Sequence, residues 1–304
     1  MTHLTPYPTR RAILGSILAS AACISIDPFN LSAQASSNPD WTTPFPPFKI
    51  AGNLYYVGSR DLASFLVTTP SGHILINSNL ATSPRQIRTA VEKLGFQWHD
   101  VKILLISHAH YDHCAGSAAI LHETGAKYMV MDADVSDVES GGQKNFHFAH
   151  DKTFFYSPAK VDRILHDGDK VELGGTTLIA HKTAGHTKGC TTWTMKLTEN
   201  GRTLDVVIVG SPNILSGYNL INDPGYPKMA ADFEQQFKTL KSLPCDIFLG
   251  AHGAYFNLLE KAPRLKPGGA NPFIDPAGYR AFVADHEQSF RAELAKQQAA
   301  AHHS

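Results

Sequence analysis

Four side chains able to ligate a metal, His108, His110, Asp112 and His113, fall within six residues. They follow directly on Ile103-Leu104-Leu105-Ile106, an apolar run that reads as a buried strand. A strand that opens on a ligand-rich loop belongs at the edge of a sheet. There the ligands are held rigidly yet stay open to solvent. His108 and His110 sit two apart, so in extended backbone they point the same way. Asp112 and His113 then face a second point as the chain turns toward a helix. One metal cannot take four ligands from six residues without strain, so the spacing predicts two metals. Matching ligands are at hand. His186 lies in Thr183-Ala184-Gly185-His186-Thr187 and His252 in Gly250-Ala251-His252-Gly253, each after a predicted strand. Their small neighbours leave room for an ion, and Gly185 permits a sharp turn.

The chain around these residues alternates strands and helices. Leu54–Val57, Ser64–Val67 and His73–Ile76 read as strands separated by Gly or Pro turns. A helix follows, capped by Ser83, with Pro84 in its first position. Its apolar stripe is Ile87, Ala90, Val91 and Leu94, and Gly95 ends it. After the ligand loop come a short helix over 116–124 ending at Gly125 and a strand over Tyr128–Met131. Residues 139–158 are rich in Gly, His and aromatics without periodicity, which suits a loop flanking a substrate. The second half repeats the theme with strands at Lys170–Leu173, Thr176–Ala180, Cys190–Leu197, Val206–Val209 and Asp246–Leu249. Helices are predicted over Met229–Leu243 and 276–298, the latter with Phe282, His286, Phe290 and Leu294 on one face. Residues 36–47, with Trp41 and Phe45, read as an arm that lays aromatics on the body. This order predicts an α/β fold in which two mixed sheets pack together with helices outside, an αββα sandwich.

The N-terminus reads as a targeting segment. Thr9-Arg10-Arg11-Ala12-Ile13-Leu14 resembles a twin-arginine export motif, an apolar stretch follows to Ile26, and Ala33-Gln34-Ala35 is a cleavage signal. Residues 1–35 are therefore expected to be a signal peptide and 36–304 a single mature domain, periplasmic or secreted. Lys+Arg 27 against Asp+Glu 27 gives no net charge, which argues against a nucleic-acid or anionic-membrane partner. No run of the mature chain is long enough for a transmembrane helix, so no stable membrane association is expected. Cleavage would leave Cys114, Cys190 and Cys245, an odd number that rules out a disulfide framework as the basis of the fold.

The HxHxDH motif, the later Gly-His-Thr and the late strand-end His together resemble the metallo-β-lactamase superfamily. Gly189-Cys-Thr-Thr-Trp193 and Asp246-Ile-Phe-Leu-Gly-Ala-His252 look closer still to class B, subclass three. The likeness runs from about Trp41 to the C-terminal helix. It implies two zinc ions, the first on His108, His110 and His186, the second on Asp112, His113 and His252. Ser211, in Val209-Gly210-Ser211-Pro212, stands where glyoxalase-type relatives carry a metal-bridging Asp, which separates this chain from them. Many relatives link the Cys245 position to a Cys near the C-terminus; no Cys follows Cys245 here, so that bridge is expected to be absent.

The resemblance implies hydrolysis of the β-lactam amide of penicillins, cephalosporins and carbapenems by a hydroxide bridging the two zinc ions, with antibiotic resistance as the outcome. Asp112 would bind the second zinc and orient the hydroxide. Ser211 and Asn213 are expected to receive the substrate carboxylate, and Phe148, Phe155 and Tyr156 to form an apolar wall. The family implies a monomer. The rival readings are another hydrolase of the same fold, a lactonase or thioester hydrolase, and a non-catalytic zinc-binding protein. Six ligands with open coordination argue against the last.

Overall fold

In the computed structural model, which describes Met1 and residues 38–302, two sheets stack face to face. The expected targeting segment and its expected cleavage point lie outside the described residues. The first sheet holds β1 (Phe48–Ala51), β2 (Leu54–Tyr56), β3 (Phe65–Thr69), β4 (Gly72–Ile76), β5 (Val101–Leu105), β6 (Lys127–Met131) and β7 (Arg163–Leu165), in that spatial order. β1 to β4 pair antiparallel and β4 to β7 parallel. The second sheet runs in the order β12 (Ile247–Gly250), β11 (Arg202–Val209), β10 (Thr191–Glu199), β9 (Thr176–Lys182), β8 (Lys170–Leu173). Only its β11–β12 pair is parallel. Both sheets are mixed, as expected. β1 and β7 are additions to the predicted set.

The helices are α1 (Pro84–Lys93), α2 (Tyr111–Cys114), α3 (Ser117–Thr124), α4 (Val135–Glu139), α5 (Met229–Ser242), α6 (Leu258–Lys261) and α7 (Pro276–Ala301). Strand periodicity distributes the apolar side chains between two cores. In β3, β4 and β5, Phe65, Val67, Ile74, Ile76, Ile103 and Leu105 face the second sheet, where they join Trp193, Met195 and Val206. Leu66, Leu75 and Leu104 face the other way, onto Ile87 and Val91 of α1 and Ile120 of α3. Central strands covered on both faces carry no polar alternation, which is why they read as continuous apolar runs. α5 and α7 bury Phe233, Phe237 and Phe290 against the outer side of the second sheet.

One local expectation needs correction. Ser83 makes no side-chain cap bond; its backbone is already helical, and its carbonyl accepts from Ile87. In α7 the deepest side chains are Tyr279, Val283 and Phe290, whereas Phe282, His286 and Leu294 are half-buried. Phe282 and Leu294 still pack against the core beside Phe290, and the Tyr279 hydroxyl donates to the Leu240 carbonyl at 2.7 Å. Gly125 ends α3 in the left-handed region, φ 68°, as predicted. Cys114, Cys190 and Cys245 are free thiols. No described helix is long and apolar enough to cross a membrane.

Candidate metal centre

The predicted ligands lie on the segments that follow β5, β9 and β12. His108 and His110 leave β5, and Asp112 and His113 lie in the first turn of α2. His186 follows β9, and His252 follows β12. The loop after β5 is not left to itself. Asn77, at φ 68° just past β4, accepts from the Ser107 amide at 2.7 Å and donates to the Ala63 carbonyl at 3.2 Å. The Ser78 and Asn79 amides both donate to the His113 carbonyl, at 3.1 and 3.2 Å. From the other sheet, Trp193 Nε1 donates to the Ile106 carbonyl at 3.1 Å.

Two triads result. His110 Nδ1 and His186 Nε2 stand 3.0 Å apart, and ligand atoms of His108, His110 and His186 all lie within 4.8 Å of one another. His113 Nε2 lies 3.1 Å from both Asp112 Oδ2 and His252 Nε2, and His252 Nε2 lies 3.6 Å from Asp112 Oδ2. The triads are contiguous: His108 also comes within 4.8 Å of Asp112 and His113. All of these residues but His252 are buried, His113 completely.

Hydrogen bonding alone does not explain this packing of nitrogens. His186 Nδ1 donates to the Asn213 carbonyl at 2.7 Å, so its Nε2 is a bare lone pair. His252 Nδ1 donates to Asp61 Oδ2 at 3.0 Å, which does the same for its Nε2. His108 Nε2 is buried without a partner. A tetrahedral ion about 2.1 Å from each nitrogen spaces its ligands about 3.4 Å apart. The donor set and spacing therefore fit two ions, one per triad.

Electrostatics favour the metal-ready protonation states. Burial, then the neighbouring imidazoles, push His108 and His110 well below the ordinary histidine range. Burial lowers His186 to about 4, although the Asn213 carbonyl pulls the other way. Burial would raise Asp112, but His113, His252 and His110 together outweigh it and hold the carboxyl well below its usual range. At neutral pH these three imidazoles are thus free bases and the carboxylate is ionised, as ligation requires.

A model of the metallo-β-lactamase superfamily matches residues 62–197. The native FEZ-1 metallo-β-lactamase of Legionella gormanii is 52% identical in sequence, with TM-score 0.83 over 84% of this chain and 98% of that one. The chain belongs to the metallo-β-lactamases. A class B3 di-zinc enzyme from an Alaskan soil metagenome, LRA-12, is 35% identical with TM-score 0.79, covering 84% of this chain and 97% of its own. A metal-dependent hydrolase of Anaeromyxobacter dehalogenans is 26% identical over 215 residues, 69% of each chain. These neighbours place this hydrolase in the B3 subclass.

Around the triads, the residues expected to meet substrate have definite partners. Ser211 is almost fully buried, and its Oγ lies 3.1 Å from the Tyr255 hydroxyl. Asn213 Nδ2 donates to the same hydroxyl at 2.7 Å. Tyr156 is turned inward, away from the expected wall, and its hydroxyl donates to the Ala109 carbonyl at 2.9 Å. Phe148 does reach the site, edge-on to His110 with ring centroids 5.1 Å apart, and Phe154 lies on its far side at 4.2 Å. Phe155 is half-buried. The N-terminal arm also arrives: Trp41 packs 5.9 Å from His252, and its Nε1 donates to Asp61 Oδ2 at 3.0 Å.

Sequence reasoning missed the residues behind the ligands. Asp61 accepts from His252, Trp41 and the Ala254 amide. Burial works against its ionisation, yet His252 and the amide together lower it. Asp134, wholly buried, accepts from the Ala109 amide, the Thr187 hydroxyl and the Gly189 amide at 2.8–2.9 Å, and so ties the His108–His110 loop to the His186 loop. Burial, reinforced by Asp137, raises it to about 7. Gln236 on α5 donates to the Thr183 and Ser211 carbonyls, both at 2.8 Å. Only Asn77 carried a sequence signal, a polar residue directly after an all-apolar strand.

Proposed function

We propose that this metallo-β-lactamase is a di-zinc enzyme that opens the β-lactam amide of penicillins, cephalosporins and carbapenems and thereby protects a bacterium from them. The observation that carries this reading is the pair of contiguous triads, His108–His110–His186 and Asp112–His113–His252, with ligand atoms at single-ion spacing. The di-zinc state of the B3 neighbour LRA-12 supports the same count. Bound zinc supplies Lewis acidity, which polarises a carbonyl and lowers the pKa of water from 15.7 to about 7.

The chain's own groups do the rest. Asp112 stays ionised and offers an acceptor that orients attacking water. The buried imidazoles of His108, His110 and His186 stay neutral, so protons do not compete with the metals for their nitrogens. Phe148 and Phe154 give one rim of the site an apolar surface for the substrate's side chain. Asn213 lies at the opposite ligand, bonded through its carbonyl to His186, where its side chain can meet a carboxylate. No acyl-enzyme is needed, and Ser211 is enclosed by Tyr255 and Asn213. Residues 36–304 would act as a monomer in the periplasm after removal of 1–35.

The direct measurement is the loss of carbapenem absorbance with purified protein carrying two zinc ions. Turnover is expected, and a chelator should abolish it. Full zinc loading without turnover of any β-lactam class would overturn the substrate reading.

A further inference from the structure

Asp134 stands directly before α4, a place where an aspartate ordinarily caps its own helix. It makes no such bond. Both carboxylate oxygens serve other parts of the chain. Oδ2 accepts from the Ala109 amide and from the Thr187 hydroxyl, each at 2.9 Å, and Oδ1 accepts from the Gly189 amide at 2.8 Å. The contact is close enough to require a glycine. A Cβ at Gly189 would sit 2.6 Å from the Asp134 amide nitrogen and 2.7 Å from its Cγ.

These donors belong to the two segments that supply the first triad. Ala109 lies between His108 and His110. Its amide is held by Asp134 and its carbonyl accepts from the Tyr156 hydroxyl at 2.9 Å, so both peptides between the two ligands are fixed. Thr187 and Gly189 follow His186 by one and three residues. Thr191 completes the join: its amide donates to the Ser107 carbonyl at 2.7 Å and its hydroxyl to the Gly189 carbonyl at 2.9 Å. Asp134 is buried, so water does not compete for its bonds. None of its donors comes from the second triad, where Asp61 holds His252 instead. Ligands fixed in place before an ion arrives lose less freedom on binding it, and so hold it more tightly.

We propose that Asp134 is a positioning residue for the first metal ion: by joining the His108–His110 segment to the His186 turn, it sets the affinity of that ion and not of the second. This rests on the reading above of each triad as the seat of one zinc ion. Asp134 touches neither the ion nor substrate; it acts through the backbone that carries the ligands.

The test is Asp134→Asn. The amide has one accepting oxygen, and its NH₂ must face either the Gly189 amide or the Ala109 amide, a donor against a donor. Chelator competition should show one zinc equivalent held about tenfold or more weakly, with the other within about twofold of wild type. Cobalt(II) identifies the site by nuclear magnetic resonance. Three imidazoles belong to the first triad and two to the second, and each ligated ring keeps one N–H that a paramagnetic ion shifts. Wild type with two cobalt equivalents should show all of these signals. Asp134→Asn with one equivalent should show only those of His113 and His252. Thr187→Val removes one donor and keeps the carboxylate, so it should weaken the same equivalent by a smaller factor, and Thr187→Ser should restore it. Should Asp134→Asn fail to fold, the Thr187 pair decides, and an unaltered first equivalent in Thr187→Val would overturn the proposal. Equal weakening of both equivalents in Asp134→Asn, or two unaltered affinities, would overturn it too, while leaving the two-ion reading intact. Uptake of fewer than two ions by wild type would remove that reading, and this proposal with it.

Discussion

Single side chains in this molecule are defined by what stands behind them. His252 is a ligand in form because Asp61 takes its Nδ1 proton, and Asp61 in turn holds Trp41 and the Ala254 amide. In Asp61→Asn an amide NH₂ would face one of those donors, and the hold on His252 would weaken. We expect a ten- to hundredfold loss of affinity for one of two zinc equivalents with the other unchanged, as seen for such outer partners. A stepwise chelator competition reads this, and two unaltered affinities would show that Asp61 does not position the ligand. The ligands themselves were legible in the sequence because four of them share one loop and the other two sit in glycine-flanked turns. Asp61 was not. It lies 191 residues from the histidine it serves, and nothing in its neighbours marks it. Tyr156 shows the opposite failure. An aromatic in an aperiodic loop gives no sign of whether it faces substrate or, as here, a backbone carbonyl of the ligand loop.

Strands and turns bring these side chains together with little slack. The turn between β9 and His186 depends on Gly185, at φ 141°, where an added Cβ would stand 2.7 Å from the Phe233 ring of α5. Gly185→Ala must move either the helix or the ligand. A loss of about 1–3 kcal/mol is expected from overpacking. Because the displaced residue adjoins His186, the first zinc should be lost more readily than the second. Thermal melting together with metal analysis checks both. A variant with wild-type melting and two tightly held ions would mean the turn relaxes freely. The strands were readable because burial on both faces leaves them almost purely apolar. The edge strands β1 and β7 were not, since each is short and has a half-exposed pattern that local composition does not separate from loop.

Taken over the full chain, buried ionisable groups set how the protein responds to acid. In the metal-free protein two trends oppose each other. His186 is lowered to about 4 in the fold, so the folded state binds fewer protons than the unfolded chain, and stability rises with pH up to about 6.5. Asp134 is raised from 3.8 to about 7, so here the folded state binds more protons, and stability falls as pH climbs through that interval. Asp134→Asn removes the second trend. Wild type should therefore exceed the variant most near pH 4 and lose that advantage progressively toward pH 7. Denaturant titrations of both metal-free proteins at several pH values measure the difference. A constant gap would show that the Asp134 carboxyl titrates alike in folded and unfolded chains.

The order of the strands has a consequence in time. The second triad joins residues of α2 to His252 at the end of β12, and β12 enters the second sheet as a parallel partner of β11, so it cannot form by a local hairpin. Such non-local pairing is slow, because a long loop closes before any contact rewards it. A ribosome-bound chain that still lacks β12 already owns His108, His110 and His186, and so all of the first triad, but only two ligands of the second. If each triad holds an ion, as proposed, capture of the second would report arrival of β12.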